Sequence, residues 1–141
     1  MGLTQAGHTE SDPHAEVPLL VLASCPVEYR PTGAPRLTGK LQIKLMPGSR
    51  AFDIYGQTDI EESFACNYEL NPVYRGDMEN GGIKVSGVSS DGGVRIIELS
   101  EHLFFLATGF LPQLGSSEKY PHPLMLAYLR AAARFADARS K

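Results

Sequence analysis

The amino-acid sequence predicts an α/β fold. Three patterns carry that reading. Residues 17–23 (VPLLVLA) and 104–108 (FFLAT) are continuous apolar runs, the composition of strands covered on both faces. Residues 37–45 alternate, with Leu41, Ile43 and Leu45 on one side and Lys40, Gln42 and Lys44 on the other, as a strand with one wet face does. Residues 124–138 switch to helical spacing, with Leu126, Leu129, Ala133 and Ala136 on one face and Arg130, Arg134 and Arg139 turned away.

The remaining elements follow from local chemistry. Residues 1–16 are polar and read as a loop or loosely ordered segment. Residues 26–35 are turn-rich and predict a surface excursion. Pro47-Gly48-Ser49 ends the alternating strand, and Ser49 is placed to cap a short helix through Tyr55. Residues 60–70 predict one strand, broken by Asn71-Pro72, with a helical turn reaching Asn80. Ser90-Asp91-Gly92-Gly93 is a hairpin signal between strands at 83–88 and 94–99. Pro123 suits the first turn of the last helix. The sheet so predicted has too few helices to cover it, which implies that part of a larger α/β fold lies elsewhere.

Bulk properties exclude several classes of function. The chain has 141 residues, of which 43% are apolar and 21% charged, enough to bury one core. The net charge of −3 comes without a basic stripe, so nothing points to nucleic acid. The longest apolar runs are far shorter than a membrane span, and no basic-then-apolar leader opens the chain. Two cysteines make no disulfide framework, so a reducing cytoplasm is the expected compartment.

Collinear short motifs over nearly the whole chain resemble one known family. IKVSGVSSDGGVRIIELSEHLFFLATGFLPQ parallels a Ser-Gly strand, an Asp-Gly turn, an Ile-Val-Glu-Leu strand, and His-Pro-Phe-Phe-Val-Ala ahead of Phe-His-Pro-Glu. HPLMLAYLRAA parallels a final helix. GAPRLTGKLQIKLMPGSRAFDIYG parallels Gly-Thr-Met-Arg-Leu-Gly followed by Leu-Lys-Pro-Gly-Ser, and ESFACNYELN stands for Glu-Arg-His-Arg-His-Arg-Tyr-Glu-Val-Asn. These are features of the class I glutamine amidotransferase domain of the CTP synthase type. Stand-alone proteins related to the C-terminal region of CTP synthase are similar too. The resemblance implies the C-terminal portion of a flavodoxin-like amidotransferase fold, a mixed sheet with a C-terminal helix. Residues 1–141 then form one partial domain.

The resemblance also implies a chemistry that the residues fail to supply. Such enzymes use a Cys-His-Glu triad, in which a thiolate attacks the amide carbon, His carries the proton and Glu holds the imidazole. The Gly-x-Cys-x-Gly nucleophile motif is absent, and the resemblance places it before Met1. Leu111 stands at the His position and Gln113 at the Glu position, so no catalytic residue of the triad is intact. Among substrate-pocket positions Glu10 and Tyr68 are kept, while the Arg that grips the substrate carboxylate is Asn67.

Cys66 falls at the last His of the His-Arg-His-Arg run. It reads either as a relocated thiol or as a small half-buried hydrophobe in a strand. Cys25 reads as structural, His122 as a structural position at the head of the last helix, and His102 as a turn residue. The four His are not spaced with Cys or carboxylates as a metal site requires, and no phosphate loop is present, so no cofactor or metal is expected.

Three functions compete: a degenerate domain that binds a partner or a ligand such as a small amide or amino-acid-like molecule, an active enzyme using Cys66 or a nucleophile from a missing N-terminal half, and a non-catalytic self-associating interaction subunit. An open sheet face would drive self-association into a homo-oligomer or pairing with an N-terminal half.

Overall fold

The computed structural model describes residues 4–23 and 35–140; Cys25 and all but the last residue of the excursion expected at 26–35 lie outside them. In chain order the described strands are β1 (Ala6–His8), β2 (Val17–Leu22), β3 (Thr38–Leu45), β4 (Asp59–Ala65), β5 (Tyr68–Leu70), β6 (Ile83–Ser89), β7 (Val94–Leu99) and β8 (Leu106–Thr108). The helices are α1 (Arg50–Tyr55), α2 (Arg75–Asn80) and α3 (Pro123–Arg139), with 3-10 turns at Pro72–Tyr74 and Pro112–Gly115. A small sheet has the order β1-β2-β5, with β1 and β2 parallel and β5 antiparallel to β2. A larger sheet has the order β4-β3-β6-β7-β8 and is antiparallel throughout. The fold is α/β with a C-terminal helix, and the mixing of strand direction is confined to the small sheet.

Local chemistry sets most of these elements. The alternation in β3 buries Ile43 and Leu45 and leaves Lys40, Gln42 and Lys44 in solvent. Ser49 caps α1 by accepting from the Phe52 N–H at 3.1 Å. The buried Glu98 carboxylate accepts from the backbone N–H groups of Arg50 and Ala51 at 3.1 and 3.3 Å, so an anion sits at the positive end of that helix. Gly56 closes it in the left-handed region at φ 69°, where glycine carries no Cβ penalty. Ile43, Leu45, Ala51, Ile60, Ile96, Phe110 and Leu124 form the core between the large sheet, α1 and the head of α3. Gly87 is required there, because a Cβ on it would lie 2.9 Å from the Ile96 side chain.

Several expectations need correction. The polar segment at 1–16 is not all loop: it contributes β1, which the loop after it folds back over so closely that a Cβ on Gly7 would lie 2.6 Å from the Ala15 Cβ. The single strand expected at 60–70 is two strands, because the chain leaves the large sheet at Cys66 and enters the small one at Tyr68. The strand expected at 104–108 is only Leu106–Thr108, since the His102 ring turns the backbone before it by accepting from the Phe104 N–H. In α3 the buried residues are Leu124 and Ala131, while Leu129 is 60% exposed. The helix docks by Leu124 and Ala131, while Leu129, Ala133 and Ala136 of the expected stripe face outward. β2, expected to be covered on both faces, has five half-buried residues followed by an exposed Leu22.

The head of α3 is fixed by a buried polar cluster. His122 caps the helix with Nδ1, accepting from the Leu124 N–H at 3.2 Å. Nε2 therefore carries the ring hydrogen and donates to Glu62 Oε1 at 2.9 Å. The Tyr55 hydroxyl donates to the same oxygen at 2.5 Å. Burial first, and then the Glu62 carboxylate, raise the Tyr55 phenol well above its ordinary value, so it stays a donor. His122 thus joins α1, β4 and α3 through one ring. His122→Ala removes both the cap and a partner of a buried carboxylate, and is expected to cost about 3 kcal/mol. Urea unfolding at neutral pH checks this; a loss no larger than that of an exposed substitution on α3 would show that the cluster does not hold the helix.

Candidate functional site

The chain passes from the large sheet to the small one at Cys66 and Asn67. Just before the crossing, the Cys66 N–H donates to the Leu37 carbonyl at 3.0 Å, which extends the β3–β4 ladder by one step. Just after it, the Ala23 N–H donates to the Asn67 carbonyl at 2.8 Å, which starts the β2–β5 ladder. The Asn67 side chain joins the two, its Oδ1 accepting from the Leu37 N–H at 2.8 Å. A pocket of about 250 Å³ opens at this crossing. One wall is Ala65, Cys66, Asn67 and Tyr68, the second is the end of β8 with Gly109, Phe110 and Leu111, and Glu10 and Arg36 complete the lining.

Each wall has a local cause. Glu10 sits on the tight turn after β1, where the Ser11 and Asp12 N–H groups both donate to the His8 carbonyl. Its own N–H donates to His8 Nδ1 at 3.1 Å, and the His8 ring packs on Tyr68 with centroids 4.5 Å apart. The exposed Cys66 thiol accepts from the Tyr68 N–H at 3.4 Å. Phe110 is buried in the core, and the Leu111 N–H donates to the Ser63 carbonyl at 3.0 Å, which sets Leu111 half-buried on the pocket wall. Gln113 is exposed on the 3-10 turn beyond it.

The two sheets are tied beside this pocket by a buried arginine. Arg95 on β7 donates from Nε to Ser89 Oγ at 2.8 Å and from Nη2 to Glu69 on β5 at 3.1 Å. Asp91 in the hairpin turn lies 3.7 Å from the same Nη2. Its carboxyl is held below the usual range, first by the Ser89 hydroxyl and then by the Gly93 N–H, with Arg95 adding to both. Gly93 permits this approach, since a Cβ on it would lie 2.9 Å from the Arg95 guanidinium.

Comparison with known proteins places this geometry. No protein-family model matches the sequence. CTP synthase from Saccharolobus solfataricus is 35% identical over 133 residues, which is 94% of this chain and 25% of that protein. CTP synthase from Pelotomaculum thermopropionicum is 36% identical over 140 residues, 99% of this chain and 26% of that protein. The glutaminase domain of Trypanosoma brucei CTP synthase, solved with bound acivicin, superposes with a TM-score of 0.85 at 24% identity, over 94% of this chain and 52% of that one. The chain belongs to the family of CTP synthase-type glutamine amidotransferase domains. It spans about a quarter of the length of the full CTP synthases it matches. A putative GMP synthase protein from Thermoplasma acidophilum shares the fold more loosely, with a TM-score of 0.57 at 16% identity over 86% of this chain and 52% of its own length.

Within the CTP synthase-type fold, the four pocket residues expected from sequence come together: Glu10, Cys66, Asn67 and Tyr68 line one cavity. Leu111 joins them and Gln113 does not. The sequence reading did not single out Arg36, although it lies in the stretch that parallels Gly-Thr-Met-Arg-Leu-Gly, and that alignment was the available signal. The Glu62–His122 pair was also missed, because its members are 60 residues apart and meet only in the fold. Among the described residues no group of three His, Cys, Asp or Glu could hold a metal ion, and no helix is long and apolar enough to cross a membrane.

Acid should loosen the tie between the sheets. Asp91 prefers its ionised form when folded, so its contribution is complete above the unfolded carboxyl value of about 3.9 and is lost as pH falls through the lower folded value. Asp91→Asn is expected to cost less than ~1 kcal/mol at neutral pH, because the group is mostly solvent-screened. It is also expected to lose less stability than the parent between about pH 7 and pH 3. Urea midpoints at the two pH values decide this; parallel losses in parent and variant would remove Asp91 from the acid response.

Proposed function

We propose that this chain is an amidotransferase-like domain that retains a ligand pocket and lacks glutamine hydrolysis. The observation that carries the reading is the pocket wall at Leu111, where the family places its proton-carrying His. An aliphatic side chain neither accepts nor donates a proton. No imidazole lines this pocket among the described residues, and Gln113 adds no charge beside it. Loss of a triad base removes on the order of 10⁴ in rate or more, which is enough to leave binding without turnover. The pocket is of a size for a small amide or an amino-acid-like molecule, and acivicin, bound in the trypanosomal glutaminase domain, is a ready probe. Purified protein is expected to release no ammonia from glutamine above a buffer control, and Cys66→Ser is expected to change nothing. Ammonia release that disappears on substitution of a cysteine of this chain would overturn the proposal in favour of an active enzyme.

A second reading, association through the β8 edge, is favoured by two open grooves. Leu106 and Thr108 border an apolar groove of about 390 Å³ against Phe104, Leu124 and Leu129. Ala107 borders another of about 420 Å³ against Leu19, Leu70 and Ile83. Leu106 and Ala107 therefore face two different uncovered apolar surfaces, Thr108 borders both, and β8 has a strand partner on one side only among the described residues. A complementary amidotransferase half or a second copy of the chain would cover them. Sedimentation is expected to show a species heavier than the monomer, or a monomer that binds a hydrophobic dye. A monomer that binds no dye would exclude this reading.

A further inference from the structure

One long face of α3 has no cover. Leu124 and Ala131 dock the helix, while Met125, Tyr128, Leu129 and Phe135 stay largely in solvent. Four of the nine large apolar side chains exposed among the described residues lie on this helix, so the exposure is a patch and not scatter. Ala132 and Ala136 are exposed on the same face. Met125, Leu129, Ala132 and Ala136 follow one another at spacings of four, three and four residues, the seam along which one helix packs on another. Tyr128 and Phe135 flank the seam, and the spacing puts Arg130 and Arg134 on the far side of the helix.

The order of sizes along the seam selects what can cover it. Its first half is bulky, with Met125 and Leu129, and its second half is small, with Ala132 and Ala136. A second α3 running antiparallel, about a two-fold axis between Leu129 and Ala132, sets Met125 opposite Ala136 and Leu129 opposite Ala132. Each large side chain then meets a small one in both copies at once, as a two-fold contact requires. Tyr128 of one copy comes beside Phe135 of the other on the flank. A parallel pair would set bulk against bulk at one end and leave a gap between alanines at the other. It would also bring together the two copies of Arg139, which takes the next seam position three residues beyond Ala136. In the antiparallel pair the two Arg139 lie at opposite ends, each guanidinium over its own Phe135 ring at 5.6 Å.

We infer that a second copy of this chain packs antiparallel along α3, making a two-fold dimer through Met125, Leu129, Ala132 and Ala136. The inference rests on the reading that the chain associates through its open apolar surfaces, and it names the partner and the surface. Met125 and Leu129 also line the groove that holds Phe104 and Leu106, so the partner helix extends the cover over that groove. One pair of helices is a small interface, and the dimer is expected to be reversible in the micromolar range.

Sedimentation of the whole chain over a concentration series is expected to show a monomer–dimer equilibrium. Ala132→Glu keeps a good helix former at an exposed position away from both β8 grooves, so its thermal melt should match the parent's. It is expected to weaken the dimer at least about tenfold, because it buries a charge without a partner. Ala107→Lys on β8 is expected to leave the dimer unchanged. Orientation is read in a Cys25→Ser, Cys66→Ser background. Met125→Cys copies mixed with Ala136→Cys copies are expected to form a disulfide between unlike copies on mild oxidation, and neither variant alone is expected to cross-link to itself. A folded Ala132→Glu that dimerises like the parent overturns the inference, as does self-cross-linking of either variant or a mixture that forms no cross-link. If Ala107→Lys abolishes the dimer and Ala132→Glu does not, association stands at the β8 edge and the α3 pairing falls. A parent that stays monomeric also overturns the pairing, and hydrophobic-dye binding then decides the association reading separately.

Discussion

A buried guanidinium holds the two sheets together. Arg95 leaves β7 with its side chain about nine-tenths buried and reaches Glu69 on β5, itself largely buried. A charge taken out of water is costly unless its hydrogen bonds are met, and here Ser89, Glu69 and Asp91 surround it. Removing one partner would strand the others, so the arrangement is committed to a single geometry. The pocket depends on that commitment. Its Cys66–Tyr68 wall leads into β5 of the small sheet, and its Phe110–Leu111 wall follows β8 of the large one. The tie adds to the Asn67–Leu37 and Leu111–Ser63 bonds in setting the separation of those walls.

Position 67 shows how a short polar side chain ties two sheets at a crossing. An arginine there would extend its fork toward a ligand. The shorter Asn67 turns its Oδ1 back to the Leu37 N–H and spans the gap between the two ladders. That bond closes the crossing, and it brings the chain segment bearing Arg36 to the pocket. Arg36 lies in the stretch that parallels Gly-Thr-Met-Arg-Leu-Gly, and Glu10 sits on the turn that His8 supports.

Features encoded by neighbours in the chain were legible in the sequence. The alternation of β3, the Ser49 cap, the Asp91-Gly92 hairpin and the start of α3 at Pro123 each rest on a few adjacent residues, and each is where the sequence predicts. Features that need distant partners were not. The break at Cys66 looks like continuous strand, because only pairing with Leu37 on one side and Ala23 on the other separates β4 from β5. The helical stripe of α3 reads as one buried face, yet Leu129 on it is exposed and borders a groove that nothing in the described chain fills. Family likeness picks out the pocket residues, and their convergence comes only with the fold. His122 reads locally as a cap, and its bond to Glu62 is a product of tertiary structure.

The proposed loss of hydrolysis rests most simply on Leu111. Catalysis requires interactions that strengthen in the transition state, whereas a ligand pocket requires only interactions with the ground state. Phe110 stays because it belongs to the core, and the Leu111 N–H bond to Ser63 keeps the backbone where a base would stand. The leucine side chain adds apolar surface to that wall and excludes a proton carrier from it. On the proposed reading the pocket holds a molecule without changing it, between walls that the Arg95 tie and the Asn67 clamp help to set.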